Sequence, residues 1–427
     1  MLKILSERVP NENDPLTLSL DEIARSGAKK LLSTALQLEV QEYIDQCSHL
    51  KDPSGHKMVV KNGKSKKRTV LLGSGAIDVE APRVNDKRAE FKYTSQILPP
   101  YLRKSPNVES VLPILYLKGL SGNSFREALK DLFGENVGGL SPSSISALKK
   151  SWVGEMKTWH SRPITDQFVY LWADGVYLKV RLGEDKKLGM LVIMGVTTTG
   201  EKKVLAIETG YRESKESWKM VFNDLIRRGL NAPYMIIGDG ALGLWAAVRE
   251  IELFKNTKEQ RCWVHKIANV LDKLPKSIQP KAKSKLHEMM NAENEKEAEK
   301  SFEEFKTDFH EKYPKAVRCL VKDWDDLVSF FSFPAEHWQH IKTSNPIESA
   351  FATVKQRTKA TKGAGSIEMA EVMAFKLLME AEKRWRKIRG FNEIEKLIQG
   401  AIYKDGEIIE VTREDQEKVA AGSSTTF

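Results

Sequence analysis

Residues 168–182 read FVYLWADGVYLKVRL and residues 232–245 read APYMIIGDGALGLW. Each is an apolar run rich in β-branched and aromatic residues, and each is broken by an Asp–Gly pair, Asp174–Gly175 and Asp239–Gly240. Runs of this composition form strands, and Asp–Gly reads as a strand edge or a strand end. A third acidic residue, Glu348, opens a basic helix in HIKTSNPIESAFATVKQRTKA, residues 340–360.

Around these stretches the order of elements can be read. FVYLWADG, VYLKVRLG, GMLVIMGVTTTG and KKVLAIETG give three or four consecutive strands with Gly-rich or charged turns, which predicts an antiparallel meander. ESWKMVFNDLIRRGL is an amphipathic helix ending at Gly229, and PYMIIGDG is a wholly apolar strand of the kind buried on both faces. ALGLWAAVREI is a helix, and QRCWVHKI is a short strand running into another. The order is that of a ribonuclease H-like core, an α/β fold with a mixed sheet and helices on its faces. From Lys266 to about Phe333, Lys, Glu, Ala and Leu recur at helical spacing, which predicts an all-α insertion.

Three carboxylates on separate elements suit divalent metal. Phosphodiester chemistry needs an in-line nucleophile, a stabilised leaving oxygen and relief of developing charge, and two ions ~3.5–4 Å apart can supply all three. Mg²⁺ prefers oxygen ligands, and Mn²⁺ is expected to substitute. Asp174 is expected to be shared by both ions, with Asp239 and Glu348 each completing one. Each residue also has a plainer reading. Asp–Gly is a turn dipeptide. Asn345-Pro346-Ile347-Glu348 fits a capping box, with Asn345 as N-cap, Pro346 at N1 and Glu348 at N3.

The remaining chain carries positive charge. Net charge is +10, which favours a polyanionic partner. Lys61, Lys64, Lys66, Lys67 and Arg68 crowd into about one hairpin, a density that phosphates would neutralise. Lys149 and Lys150 end a run of short helices with helix-turn-helix dimensions. Lys355, Lys359 and Lys362 follow Glu348 on one helix face, with Arg357 and Lys342 nearby. All twelve are candidate DNA contacts. Cys262-Trp263-Val264-His265 is half of a zinc site at most, so packing and hydrogen bonding are the expected role. Trp324 and Trp338 read as core aromatics.

The segments expected are a helical region 1–56, a basic β-hairpin region 57–105, a helix-turn-helix-like region 106–160, the first part of the core 161–265, the insertion 266–335, the second part of the core with the glutamate helix 336–400, and a weakly ordered tail 401–427. The start lacks an apolar h-region, and no run of 18 apolar residues occurs, so neither a signal peptide nor a membrane span is expected. The three cysteines make no disulfide framework. A cytoplasmic protein is expected.

LWADGVYLKVR, IIGDGALGLWAAV, QRCWVHKIANVLDKLP and HWQHIKTSNPIES, with Ala81-Pro82-Arg83 and YLKGLSGNSFREAL upstream, together resemble the Mutator-type transposases of bacterial insertion sequences. The resemblance runs from about Lys57 to Arg389. It implies a DDE triad at Asp174, Asp239 and Glu348 and a C-x₂-H signature at Cys262 and His265. It also implies Mg²⁺-dependent release and joining of DNA ends, binding of terminal inverted repeats and target DNA, and a homodimer or higher oligomer. One departure stands out: the family often has Leu-Glu-Arg at the glutamate, where this chain has Ile347-Glu348-Ser349. Two rival functions stay open, a ribonuclease H-like nuclease that cuts without joining and a domesticated DNA-binding protein without chemistry.

Overall fold

The computed structural model describes residues 18–88, 90–105, 108, 142–179, 187–209, 213–360 and 366–409. Two compact units divide at Ser151 and Trp152. Among the described residues no helix is long and apolar enough to cross a membrane.

The first unit is built on helix α1 (Leu20–Gln46), which Ser19 and Glu22 start with a reciprocal capping box. Leu36, Val40 and Ile44 form its buried stripe. Strands β1 (Val59–Lys64), β2 (Arg68–Leu72), β3 (Gly75–Val79) and β4 (Pro82–Asp86) follow. The expected single basic hairpin is in fact two ladders: β2 pairs with β3, and β1 pairs with β4 outside them. Leu36 packs with Val70, Ile77, Val79 and Leu98, while Val40 and Ile44 pack with Val59. Of the expected helix-turn-helix region, residues 106–107 and 109–141 lie outside the described residues. Helix α2 (Pro142–Ser161) closes that segment.

The second unit contains a five-stranded mixed sheet. Its strands are β5 (Phe168–Lys179), β6 (Lys187–Thr197), β7 (Lys202–Thr209), β8 (Met235–Gly238) and β9 (Lys258–Arg261), in the spatial order β7-β6-β5-β8-β9. The first three are antiparallel neighbours, and β8 and β9 run parallel to β5. Of the three or four strands expected, three form: FVYLWADG and VYLK are one continuous strand, because Asp174 and Gly175 pair with Val192 and Leu191 and no turn intervenes.

Alternation along β5 sends successive side chains to opposite faces. On one face Leu171 and Ala173 meet α3 (Lys215–Arg227) and α4 (Leu242–Glu250), through Trp218, Phe222, Leu225, Leu244 and Val248. Truncating a residue such as Phe222, fully buried here, to Ala costs about 3–5 kcal/mol. On the other face Tyr170 donates its hydroxyl to His337 Nδ1 (2.7 Å), and Nε2–H of that ring donates to the Gly390 carbonyl (2.8 Å). A carbonyl only accepts, so the two bonds together fix the tautomer.

Helices α5 (Trp263–Leu271), α6 (Gln279–Met290), α7 (Glu295–Phe309), α8 (Pro314–Val321) and α9 (Trp324–Val328) make up the all-helical segment expected after β9. Trp324 stacks on Phe302 at 3.9 Å and Trp338 packs edge-on to Phe330 and Phe331, so both half-buried rings pack against the protein's own aromatics. Then come α10 (Trp338–Ile341), α11 (Asn345–Ala360), α12 (Ile367–Glu382) and α13 (Glu393–Ile398). The start of the expected tail is ordered: β10 (Tyr403–Lys404) and β11 (Glu407–Ile408) form a hairpin around Asp405 and Gly406, both at positive φ.

Candidate active site

Sheet register brings the two aspartates together. Ala173 pairs with Gly238 at the end of the β5–β8 ladder, and Gly238 pairs with Arg261 at the end of the β8–β9 ladder. The next residues on the three strands are Asp174, Asp239 and Cys262. All three therefore stand at one carboxyl-terminal level of parallel strands, where α/β sheets place their ligands. β8 stops because Gly240 takes φ +85°, and the Asp239 carboxylate accepts the Ala241 N–H (2.8 Å). The guanidinium of buried Arg261 packs into the space that a Cβ on Gly240 would occupy. Arg261 Nε lies 3.3 Å from Asp323.

Glu348 arrives from α11, which is docked through its start. Trp263 N–H donates to the Lys342 carbonyl (3.1 Å), and Ser344 N–H donates to Cys262 Sγ (3.2 Å). The capping box expected at Asn345 and Glu348 is not found at those positions: Asn345 is already helical and Ser344 precedes it, so Glu348 lies one position past N3. The Ser344 hydroxyl lies 3.1 Å from Glu348 Oε1, 3.2 Å from Cys262 Sγ and 3.3 Å from His265 Nδ1. Its single proton serves one acceptor at a time. His265 Nε2 is 3.7 Å from the same Glu348 oxygen. Cys262, His265 and Ser344 thus form a small network around the glutamate.

The electrostatics follow. Burial, together with the charges of Asp239 and Glu348, pushes the Asp174 carboxyl up to about 7, opposed by His265. The Cys262 sulfur pushes the His265 imidazole up to about 9 against the effect of burial, with Glu348 and Asp239 adding to the rise. Burial raises the Cys262 thiol, but hydrogen bonds from His265 and Ser344 outweigh it and leave the group below its ordinary value. Among the described residues no three His, Cys, Asp or Glu side chains lie close enough together to hold a metal ion as they stand. The three carboxylates share a field without converging on one point.

Two residues here escape a sequence reading. Ser344 is one. Glu213 is the other: its side chain fills the space beside Gly175 that a Cβ would need, and burial and Asp239 raise its carboxyl while Tyr177 opposes the rise by a hydrogen bond. Nothing in the local sequence around Glu213 marks it, because the contact is made across the sheet surface.

The candidate DNA contacts divide. Lys61, Lys64 and Lys66 are exposed on the first unit. Lys67 pairs with Asp78 (2.9 Å), and Arg68 donates to the Leu98 and Pro99 carbonyls (3.0 and 3.1 Å), so Arg68 is engaged by its own fold. Lys150 is exposed and Lys149 half-buried on α2. Lys355 and Lys359 are exposed on α11, but Arg357 is buried. Lys342 Nζ donates to the Met290 carbonyl and to Asn291 Oδ1, both at 3.0 Å, and is taken up by the end of α6. Lys362 lies outside the described residues.

Over residues 3–388 the chain matches the family described as transposase, Mutator family. It is 47% identical over 304 residues to the transposase for insertion sequence element IS6120 of Mycolicibacterium smegmatis, covering 71% of this chain and 93% of that one. It is 43% identical over 297 residues to the transposase for insertion sequence element IST2 of Acidithiobacillus ferrooxidans, covering 69% and 100%. A more distant relative is the transposase for insertion sequence element IS905 of Lactococcus lactis, 26% identical over 80% of this chain and 84% of that one.

Proposed function

Because the chain belongs to the Mutator family of transposases, we propose that it binds the terminal inverted repeats of its element, cleaves DNA there and joins the freed 3′-hydroxyl to target DNA, with Asp174, Asp239 and Glu348 as the catalytic triad. The observation that carries this reading is the register that puts Asp174 and Asp239 each one residue past the last pair of the β5–β8 ladder. The field that both Asp239 and Glu348 exert on Asp174 supports it. The order β7-β6-β5-β8-β9, antiparallel and then parallel, supports a ribonuclease H-like core.

The residues fit divalent metal. All three donors are carboxylates, the hard oxygen ligands Mg²⁺ and Mn²⁺ prefer. Asp174 is buried beside two like charges, and that arrangement favours a cation. When bound, such ions supply Lewis-acid polarisation of the phosphoryl oxygens and a more acidic attacking hydroxyl. Asp174, Asp239 and Glu348 would hold them, and would have to close inward to do so.

The chain's own groups do the rest. Asp174 must lose its proton before it can act as a ligand. Ser344 and His265 hold the Glu348 carboxylate in one orientation. Lys355 and Lys359, exposed further along α11, attract the phosphate backbone toward the glutamate. The same residues serve two attacks in turn, by water and then by the 3′-hydroxyl.

The test is strand transfer with pre-cleaved 3′ ends and a target duplex. Covalent joining supports the transposase chemistry. Cutting of intact ends without joining supports a nuclease. Binding of one DNA site with neither reaction, and without Mn²⁺ binding by calorimetry, supports a domesticated DNA-binding protein.

A further inference from the structure

On the face of α11 next to that of Glu348, a cavity of about 530 Å³ opens in the second unit. Its walls include Lys202, Asn345, Ser349, Arg384, Trp385 and Arg386, and none of its lining residues is acidic. Lys202, Arg384 and Arg386 form no ion pair among the described residues. Lys202 is half-buried, and burial holds its ammonium below the ordinary lysine value. Three like charges lining one hollow, with no acidic residue among the lining, favour an anion there. Trp385 is half-buried and makes no aromatic contact among the described residues.

Cations beside an unstacked aromatic ring are the recognition chemistry of single-stranded nucleic acid: the charges follow the backbone and the ring takes a base. The volume falls in the ~300–1,000 Å³ range of small-ligand sites. A duplex, whose major groove alone is ~12 Å wide, does not enter it.

We propose that this pocket binds one unpaired nucleotide of a DNA strand, with its phosphate on Lys202, Arg384 and Arg386 and its base against Trp385. The inference rests on the transposase reading only for the source of the strand. Ser349 lines the pocket and directly follows Glu348, so the pocket opens on the helix that carries the glutamate of the proposed triad.

The experiment uses the full chain in EDTA and a short oligo-dT carrying one central 2-aminopurine, read by fluorescence. Wild-type protein quenches the probe as the base stacks. Trp385→Ala abolishes the quench and weakens binding about fivefold or more, whereas Trp385→Phe retains both, which separates stacking from misfolding. Arg384→Ala with Arg386→Ala weakens binding about tenfold and flattens its salt dependence. An unquenched wild-type complex overturns the proposal, as does a Trp385→Ala variant that behaves like wild type. If wild type quenches the probe but cuts no DNA with Mg²⁺, the catalytic reading fails and the pocket stands. If it cuts but does not quench, the reverse holds.

Discussion

Ala173 on β5 and Gly238 on β8 are paired in parallel register, and the residue after each is an aspartate. Two carboxylates 65 positions apart in the sequence are thereby held at the same end of the β5–β8 ladder. Their closeness is a property of backbone hydrogen bonding, and it precedes any ligand.

That closeness has a cost when no cation is present. The Asp174 carboxyl sits at about 7 in the folded chain, against an unfolded value near 3.8. A raised carboxyl stabilises the fold below the unfolded value and loses that contribution as pH climbs through about 7. Asp174→Asn removes the loss. In EDTA the variant is therefore expected to outlast wild type at pH 8, by up to roughly 4 kcal/mol, and to match it more closely at pH 4. Mg²⁺ narrows the gap at pH 8 by stabilising wild type alone. Thermal denaturation at both pH values, with and without Mg²⁺, checks this; parallel pH profiles in EDTA contradict it.

Ser344 is expected to act through Glu348. Ser344→Ala removes the hydroxyl 3.1 Å from Oε1 but keeps the N–H that meets Cys262. Cleavage is expected to fall about 10- to 100-fold, as for other groups that orient ligands, with a higher Mg²⁺ requirement and unchanged DNA affinity. Ser344→Thr is expected to restore much of the rate. An unaltered Mg²⁺ requirement assigns the serine to packing instead.

Much of this arrangement is legible in the sequence, and the limits are physical. The apolar runs around Asp174 and Asp239 give the strands, because burial on both sheet faces leaves a continuous hydrophobic stretch. Asp–Gly misleads at Asp174, since antiparallel pairing with Val192 carries the strand straight through a dipeptide that elsewhere turns. Arg68, Lys342 and Arg357 look identical in sequence to surface cations. Their carbonyl partners, or their burial, come from distant segments. Glu213 and Ser344 lack any local signal for the same reason.

Gly240 is fixed by its neighbours. Its φ of +85° disfavours any side chain, and Arg261 occupies the place of a Cβ. Gly240→Ala is expected to lower stability by about 1–3 kcal/mol or more and to displace Arg261 from Asp239's loop. A melting temperature equal to wild type contradicts this.

The lysines of α11 and Lys342, which caps the end of α10, should separate by salt dependence. Each exposed cation that contacts phosphate adds about 0.9 to the slope of log affinity against log salt. Lys355→Ala and Lys359→Ala are each expected to lower that slope. Lys342→Ala is expected to leave it unchanged while reducing stability, because its ammonium is bound to Met290 and Asn291. A slope change at Lys342 overturns the assignment.

The central claim is tested most directly by measuring cleavage and binding side by side on element-end DNA with Mg²⁺, for wild type, Asp174→Asn, Asp239→Asn and Glu348→Gln. Each substitution is expected to abolish strand cleavage while end binding persists. Cleavage near the wild-type rate in any one of the three contradicts the account and removes that residue from the site.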